Sequence, residues 1–191
     1  MEREIDIPRI LCSSDTGTPL EHCMICGKYL LDEDTPYFIE KSIRQYPGME
    51  AQEVIFEYAM CLHCSVAMSE SLSDESRKRT SEYLMKHAQF ELRWNKLSKI
   101  ENPSIGDWLG RCVLKGTPIA AAHEFQIVAQ CMGRKLQLHD MPFALSLEAI
   151  DELAQLLSRE SQGEMDDFLG NHFSGPPELA EILRRRPPVL I

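Results

Sequence analysis

The chain has 191 residues, 43% of them hydrophobic, and a formal net charge of -10. Residues 1–100 carry 12 basic and 17 acidic side chains, and residues 101–191 carry 8 and 13, so each half stands at -5. A spread of acidity like this disfavours nucleic acid as a partner, because phosphate binding needs a concentrated cationic face. No apolar run approaches the ~20 residues of a membrane helix.

The N-terminus, Met-Glu-Arg-Glu-Ile-Asp-Ile-Pro, has acids where a secretion signal needs a basic start and an apolar stretch. The expected location is therefore the cytoplasm. Residues 1–20 read as an irregular lead-in, with Ile5, Ile7, Ile10 and Leu11 available for packing and a turn-rich stretch from Ser13 to Pro19. In residues 21–64 two strands are expected. Tyr37, Ile39 and Ile43 punctuate the first, with Phe38 on its other face. Val54, Phe56, Tyr58 and Met60 alternate with Ile55, Glu57 and Ala59 in the second. Pro47-Gly48 supplies the turn between them.

Residues 65 to about 99 read as helical. Leu84, Ala88, Phe90, Trp94 and Leu97 form the apolar stripe, and Ser73 or Asp74 caps a second helix after a break at 71–76. Asn102-Pro103-Ser104 ends the section. Residues 123–132 alternate as a strand: Phe125, Ile127, Ala129 and Cys131 share one face. A turn follows at 132–135, and Leu136 and Leu138 begin the return. Ser146 caps a short helix containing Leu147, Ile150, Leu153, Leu156 and Leu157. Residues 163–173 form another, and a brief helix with a proline-stiffened apolar tip closes the chain.

The chemistry sits in two tight pairs of cysteines. Cys23 and Cys26 stand in His-Cys-Met-Ile-Cys-Gly-Lys, and Cys61 and Cys64 in Met-Cys-Leu-His-Cys. Two intervening residues let both sulfurs of a pair turn toward one ion, and two pairs complete a tetrahedron, so one structural Zn²⁺ is the expected cofactor. Ordinary packing as small apolar side chains and dithiol redox chemistry are the alternatives. Seven cysteines, an odd number without the spacing of a secreted disulfide framework, suit a reducing compartment.

The order of knuckle, hairpin, second pair and helix resembles the treble-clef class of zinc fingers over roughly residues 21–90. The resemblance implies a turn followed by Gly27 at the first pair and a helix start at the second. Lys28 is placed to offset part of the charge of four thiolates, and His22 and His63 flank ligands without being needed as ligands. Four sulfurs leave no vacancy for substrate.

A second, metal-free copy is readable further on. Cys112-Val-Leu-Lys115-Gly116-Thr-Pro-Ile119 lies over Cys23-Met-Ile-Cys26-Gly27-Lys-Tyr-Leu30, and Ala129-Gln-Cys131-Met-Gly-Arg134 over Ala59-Met-Cys61-Leu-His-Cys64. This predicts a degenerate pseudo-site of Cys112, Lys115, Cys131 and Arg134, the alternative being two unrelated buried thiols.

The fold class expected is α+β. A four-cysteine, zinc-binding, treble-clef-like domain occupies residues 21–100. A C-terminal α+β region occupies 101–191, with a smaller hairpin, the faded repeat and a helical tail. No phosphate loop, nucleophile elbow or His-Glu-x-x-His helix is present. The reading that follows is a zinc-binding interaction or scaffold module whose partner is another protein. A nucleic-acid-associated regulator using Arg77-Lys78-Arg79 is the alternative. A second alternative is an enzyme assembled around His123, His139 and Cys131.

Overall fold

A computed structural model describes residues 3–46, 48–49, 51–88, 90–102, 104–173, 181–184 and 187–189. Pro47 of the expected turn, Pro103, and most of the expected final helix and tip lie outside the described residues. The elements in chain order are β1 (Arg3–Asp6), β2 (Pro36–Gln45), β3 (Gln52–Cys61), α1 (Leu62–Ser71), α2 (Asp74–His87), α3 (Phe90–Leu97), α4 (Ile105–Leu109), β4 (Glu124–Met132), β5 (Lys135–Leu138), β6 (Phe143–Ser146), α5 (Leu147–Gln155) and α6 (Arg159–His172).

The expected hairpin forms as β2 and β3, in register from Tyr37 opposite Cys61 to Gln45 opposite Gln52, with an irregularity at Ser42/Ile43. The other edge of β2 pairs antiparallel with β4 over nine positions, from Pro36 opposite Met132 to Arg44 opposite Glu124. The sheet therefore runs continuously across the boundary expected near residue 100. Its far edge is split. Cys131 and Met132 of β4 pair with β5, while Phe125 to Val128 pair with β6. The order is β1-β5-β4-β2-β3, with β6 continuing the β5 edge.

The lead-in is not irregular throughout. Arg3 to Asp6 pair with Leu138 to Lys135 as an edge strand. A four-residue segment with apolar character only at Ile5 has too little pattern to read as a strand; β5 supplies the hydrogen bonds that make it one. Leu11, fully buried, and Cys12 follow on a 3₁₀ turn.

Both faces of the sheet are covered near its centre, so β4 is buried at every position from Glu124 to Ala129 rather than at alternate ones. On one face Lys41 donates to the Cys12 carbonyl at 2.8 Å and pairs with Glu57 at 2.8 Å. On the other, Tyr58 meets the rings of Phe168 and Phe173, and Gln126 donates to the Pro187 carbonyl. The break expected at 71–76 is real: Ser73 caps α2, its Oγ accepting from the Ser76 N–H. Strand β6 and the five-residue α4 were not expected. Phe143 to Ser146 are all buried, so they lack the alternation that marks a half-exposed strand.

Candidate metal centre

The first knuckle is set by backbone geometry. Gly27 adopts a left-handed φ of 72°, which a side chain disfavours. That turn lets the Gly27 N–H reach the Cys23 carbonyl at 2.9 Å and the Cys23 N–H reach the Lys28 carbonyl at 2.9 Å. The Met24 N–H then donates to Ala59 of β3, also at 2.9 Å, which docks the knuckle on the hairpin. Cys61 is the last residue of β3 and the residue that caps α1, and Cys64 lies in the first turn of that helix.

These placements bring Cys23, Cys26, Cys61 and Cys64 together with every sulfur within 4.8 Å of the others. A regular tetrahedron with Zn–S bonds of about 2.3 Å puts its sulfurs about 3.8 Å apart. The Cys26 and Cys61 Sγ atoms are 3.8 Å apart. A disulfide would need about 2.05 Å, and all seven cysteines are free. The donor set and spacing thus suit a tetrahedral thiophilic ion.

The electrostatics ask for a cation. Burial raises the Cys23 thiol, but the backbone N–H groups of Cys26, Cys61 and Ile25 outweigh it and bring the pKa down to about 7. The Cys61 N–H donates to Cys23 Sγ at 3.4 Å. Cys61 and Cys64 go the other way, both raised first by burial; at Cys64 the other three sulfurs add to the rise, whereas at Cys61 the Cys64 N–H and thiol pull down against Cys23 and Cys26. The favourable end of the α1 dipole does not offset this crowding by itself. A divalent ion would favour the thiolate at each of the four positions. His22, His63 and Lys28 have exposed side chains. The His22 ring packs edge-on against Tyr29 at 5.6 Å.

The second set of site residues is only half brought together. Cys112 and Lys115 lie on a knuckle, but Cys131 and Arg134 are elsewhere. Cys112 bridges to Ala144, whose partner on β4 is Ile127. Cys131 is four residues further along β4, about 13 Å at the rise of a strand. It is fully buried opposite Tyr37, and burial pushes its thiol up to about 12. Arg134 is exposed. What Cys112 Sγ meets is Ser146, accepting from its N–H at 3.3 Å and its Oγ at 3.4 Å. The residue that meets this knuckle at the strand–helix junction is a serine, so pairing Cys112 with Cys131 picks the wrong partner. The usable signal was the junction: Ser146-Leu147 ends a strand and opens a helix as Cys61-Leu62 does.

The residues of the enzymatic alternative do not converge. His123 precedes β4 and Cys131 lies near its other end, eight residues or about 26 Å away. His139 is exposed, stacks on Trp94 at 4.6 Å and lies 3.2 Å from the Asp140 carboxylate. Each cation of the basic cluster has an acid on its own helix: Arg77 with Asp74, Lys78 with Glu82, and Arg79 with Glu75. The sequence reading missed Arg93, whose guanidinium donates to the carbonyls of Trp108, Asp140 and Pro142, and it missed the buried carboxylate of Glu40.

Comparison of the chain with family models, with curated proteins and with solved structures finds no match.

Proposed function

We propose that Cys23, Cys26, Cys61 and Cys64 hold one structural Zn²⁺, and that the protein works as a zinc-stapled module for binding another protein. The carrying observation is the mutual approach of the four sulfurs to within 4.8 Å. Four thiolates close the coordination sphere and leave no position at which substrate could be activated. The order of knuckle, hairpin, cysteine pair and helix fits the treble-clef class in layout. Beside the site, α1 carries Leu62 and Val66 at 40% and 46% exposure, one turn apart, with Tyr29 of the knuckle at 38%. Apolar side chains of this size on a helix pinned by the metal give a partner protein a rigid surface to meet.

The ion fastens the knuckle to the start of α1, and its binding energy is folding energy, about 10 kcal/mol by analogy with small zinc domains. Metal quantification on protein purified without chelator tests this. One zinc per chain is expected, lost from Cys64→Ser and kept in Cys131→Ala. Excess EDTA should unfold the knuckle and α1 cooperatively. A chain that folds identically without zinc, or that keeps its zinc in Cys64→Ser, refutes the assignment.

A further inference from the structure

The two halves of the chain repeat the same backbone contacts at a nearly constant spacing. From Cys23 to Cys112 the offset is 89 residues, and it is kept through the whole knuckle. The Cys112 N–H donates to Thr117 as Cys23 does to Lys28, the Gly116 N–H to Cys112 as Gly27 to Cys23, and the Ile119 N–H to Gly110 as Leu30 to Glu21. Gly116 has φ 67° where Gly27 has 72°. The bridge His22–Tyr29 recurs as Arg111–Pro118.

Past the hairpin the offset is 85 and stays there. The Val113 N–H donates to Ala144 as Met24 does to Ala59, both at 2.9 Å. The Ser146 N–H points at Cys112 Sγ as the Cys61 N–H points at Cys23 Sγ, at 3.3 and 3.4 Å. Helix α1 begins at Leu62 and α5 at Leu147; α2 spans Asp74–His87 and α6 Arg159–His172, so both boundaries of the second helix fall at the same offset. Ser73 and Ser158 cap these helices by the same bond, to Ser76 and Ser161.

The halves also face each other across an approximate two-fold axis. Tyr37 lies opposite Cys61 as Phe125 lies opposite Ser146, which makes Tyr37 and Phe125 equivalent; the pair Tyr37–Cys131 then maps onto Ile43–Phe125, and Glu40 opposite Val128 lies on the axis. The serines obey the same symmetry: the Ser73 N–H donates to Ser161 Oγ and the Ser158 N–H to Ser76 Oγ, both at 2.8 Å, while Ser73 and Ser158 Oγ touch at 2.9 Å. Reciprocal contacts of this kind define an isologous interface, here between two parts of one chain.

We infer that residues 110–173 are a second copy of the cysteine unit, in which Cys112, Lys115, Ser146 and Ala149 stand at the positions of the ligands Cys23, Cys26, Cys61 and Cys64. Only one sulfur survives. The fastening of knuckle to helix is kept by other means: the Lys115 ammonium reaches α5, bonding the Glu152 carboxylate and lying 3.7 Å from Glu148, and Tyr83 donates to the second Glu152 oxygen. The first unit has His63 and Ala67 at the positions of these two acids. One copy ties its knuckle with four sulfurs, the other with an ion pair.

The backbone of a tetrahedral site is thus already in place, three side chains short. In the full chain, K115C/S146C/A149C should bind one more equivalent of zinc than the parent, and cobalt substitution should add a second tetrahedral thiolate spectrum. Adding Cys112→Ser to the triple variant should remove that increment. A folded triple variant with the parent's metal content, or an increment that survives Cys112→Ser, overturns the inference. If the triple variant is unfolded without metal, folding on addition of zinc supports it, and failure to fold in excess zinc counts against it. The readout is the increment over the parent. A parent that binds nothing refutes the first site and leaves this comparison intact.

Discussion

Glu40 lies at the centre of the sheet and is only 3% exposed. Its carboxylate accepts from the Tyr58 hydroxyl at 2.6 Å and from the Val189 N–H at 2.5 Å. Burial raises its pKa from 4.5 to about 7, with those two bonds pulling the other way. Between about pH 4.5 and 7 the native chain therefore keeps a proton that the unfolded chain has lost. The stabilisation is full below the unfolded value and falls as the pH rises through the folded one. Each pH unit inside that window is worth about 1.4 kcal/mol. Between pH 5.5 and 8 the wild type should lose about 2 kcal/mol through this group alone. Glu40→Gln keeps the shape, leaves an oxygen for the Val189 N–H and an amide for Tyr58, and does not titrate. Urea unfolding of both proteins at half-unit steps from pH 5.5 to 8, with zinc in excess, measures the difference. Stability relative to Glu40→Gln should decline by about 2 kcal/mol over the range. A difference that stays constant across the range refutes the argument that Glu40 is protonated in the native state at the acidic end.

Two further perturbations probe the frame around the site. Gly133 has φ 52°, and an added Cβ would lie 2.8 Å from the Asp32 carbonyl oxygen and 3.0 Å from Glu33 Cα, both backbone atoms. Gly17 shares a positive φ of 72° but has open space. Gly133→Ala should cost about 2 kcal/mol or more, several degrees of Tm, and Gly17→Ala about 1 kcal/mol; equal melting temperatures would contradict the crowding. Ser76→Ala and Ser161→Ala each leave a helix-capping N–H, of Ser158 and Ser73 respectively, without its acceptor. Losses of about 1–3 kcal/mol are expected in denaturant titrations. The two values should agree within about 0.5 kcal/mol; a loss in one and none in the other would break the symmetry of the serine cluster.

What the amino-acid sequence determined alone is local. The CxxC spacing named the four sulfurs that meet, because two residues are what a turn needs to aim both at one point. Alternation announced β2, β3 and β4, and Ser73 and Ser146 marked the starts of α2 and α5. The knuckle at Cys112 to Ile119 was readable because glycine and the apolar spacing survive there without the metal. The tertiary structure decided what depends on partners distant in sequence. Arg3–Asp6 became a strand because β5 lies beside it, and β4 lost its polar face because Gln126 is covered by the chain at Pro187. Ser146 and Ala149, rather than Cys131 and Arg134, stand at the second knuckle. Once the sulfurs were gone nothing in residue identity marked those positions, while the hydrogen bonds from Ser146 to Cys112 still did. Side-chain chemistry identifies a site that is in use; backbone geometry preserves one after its chemistry has changed.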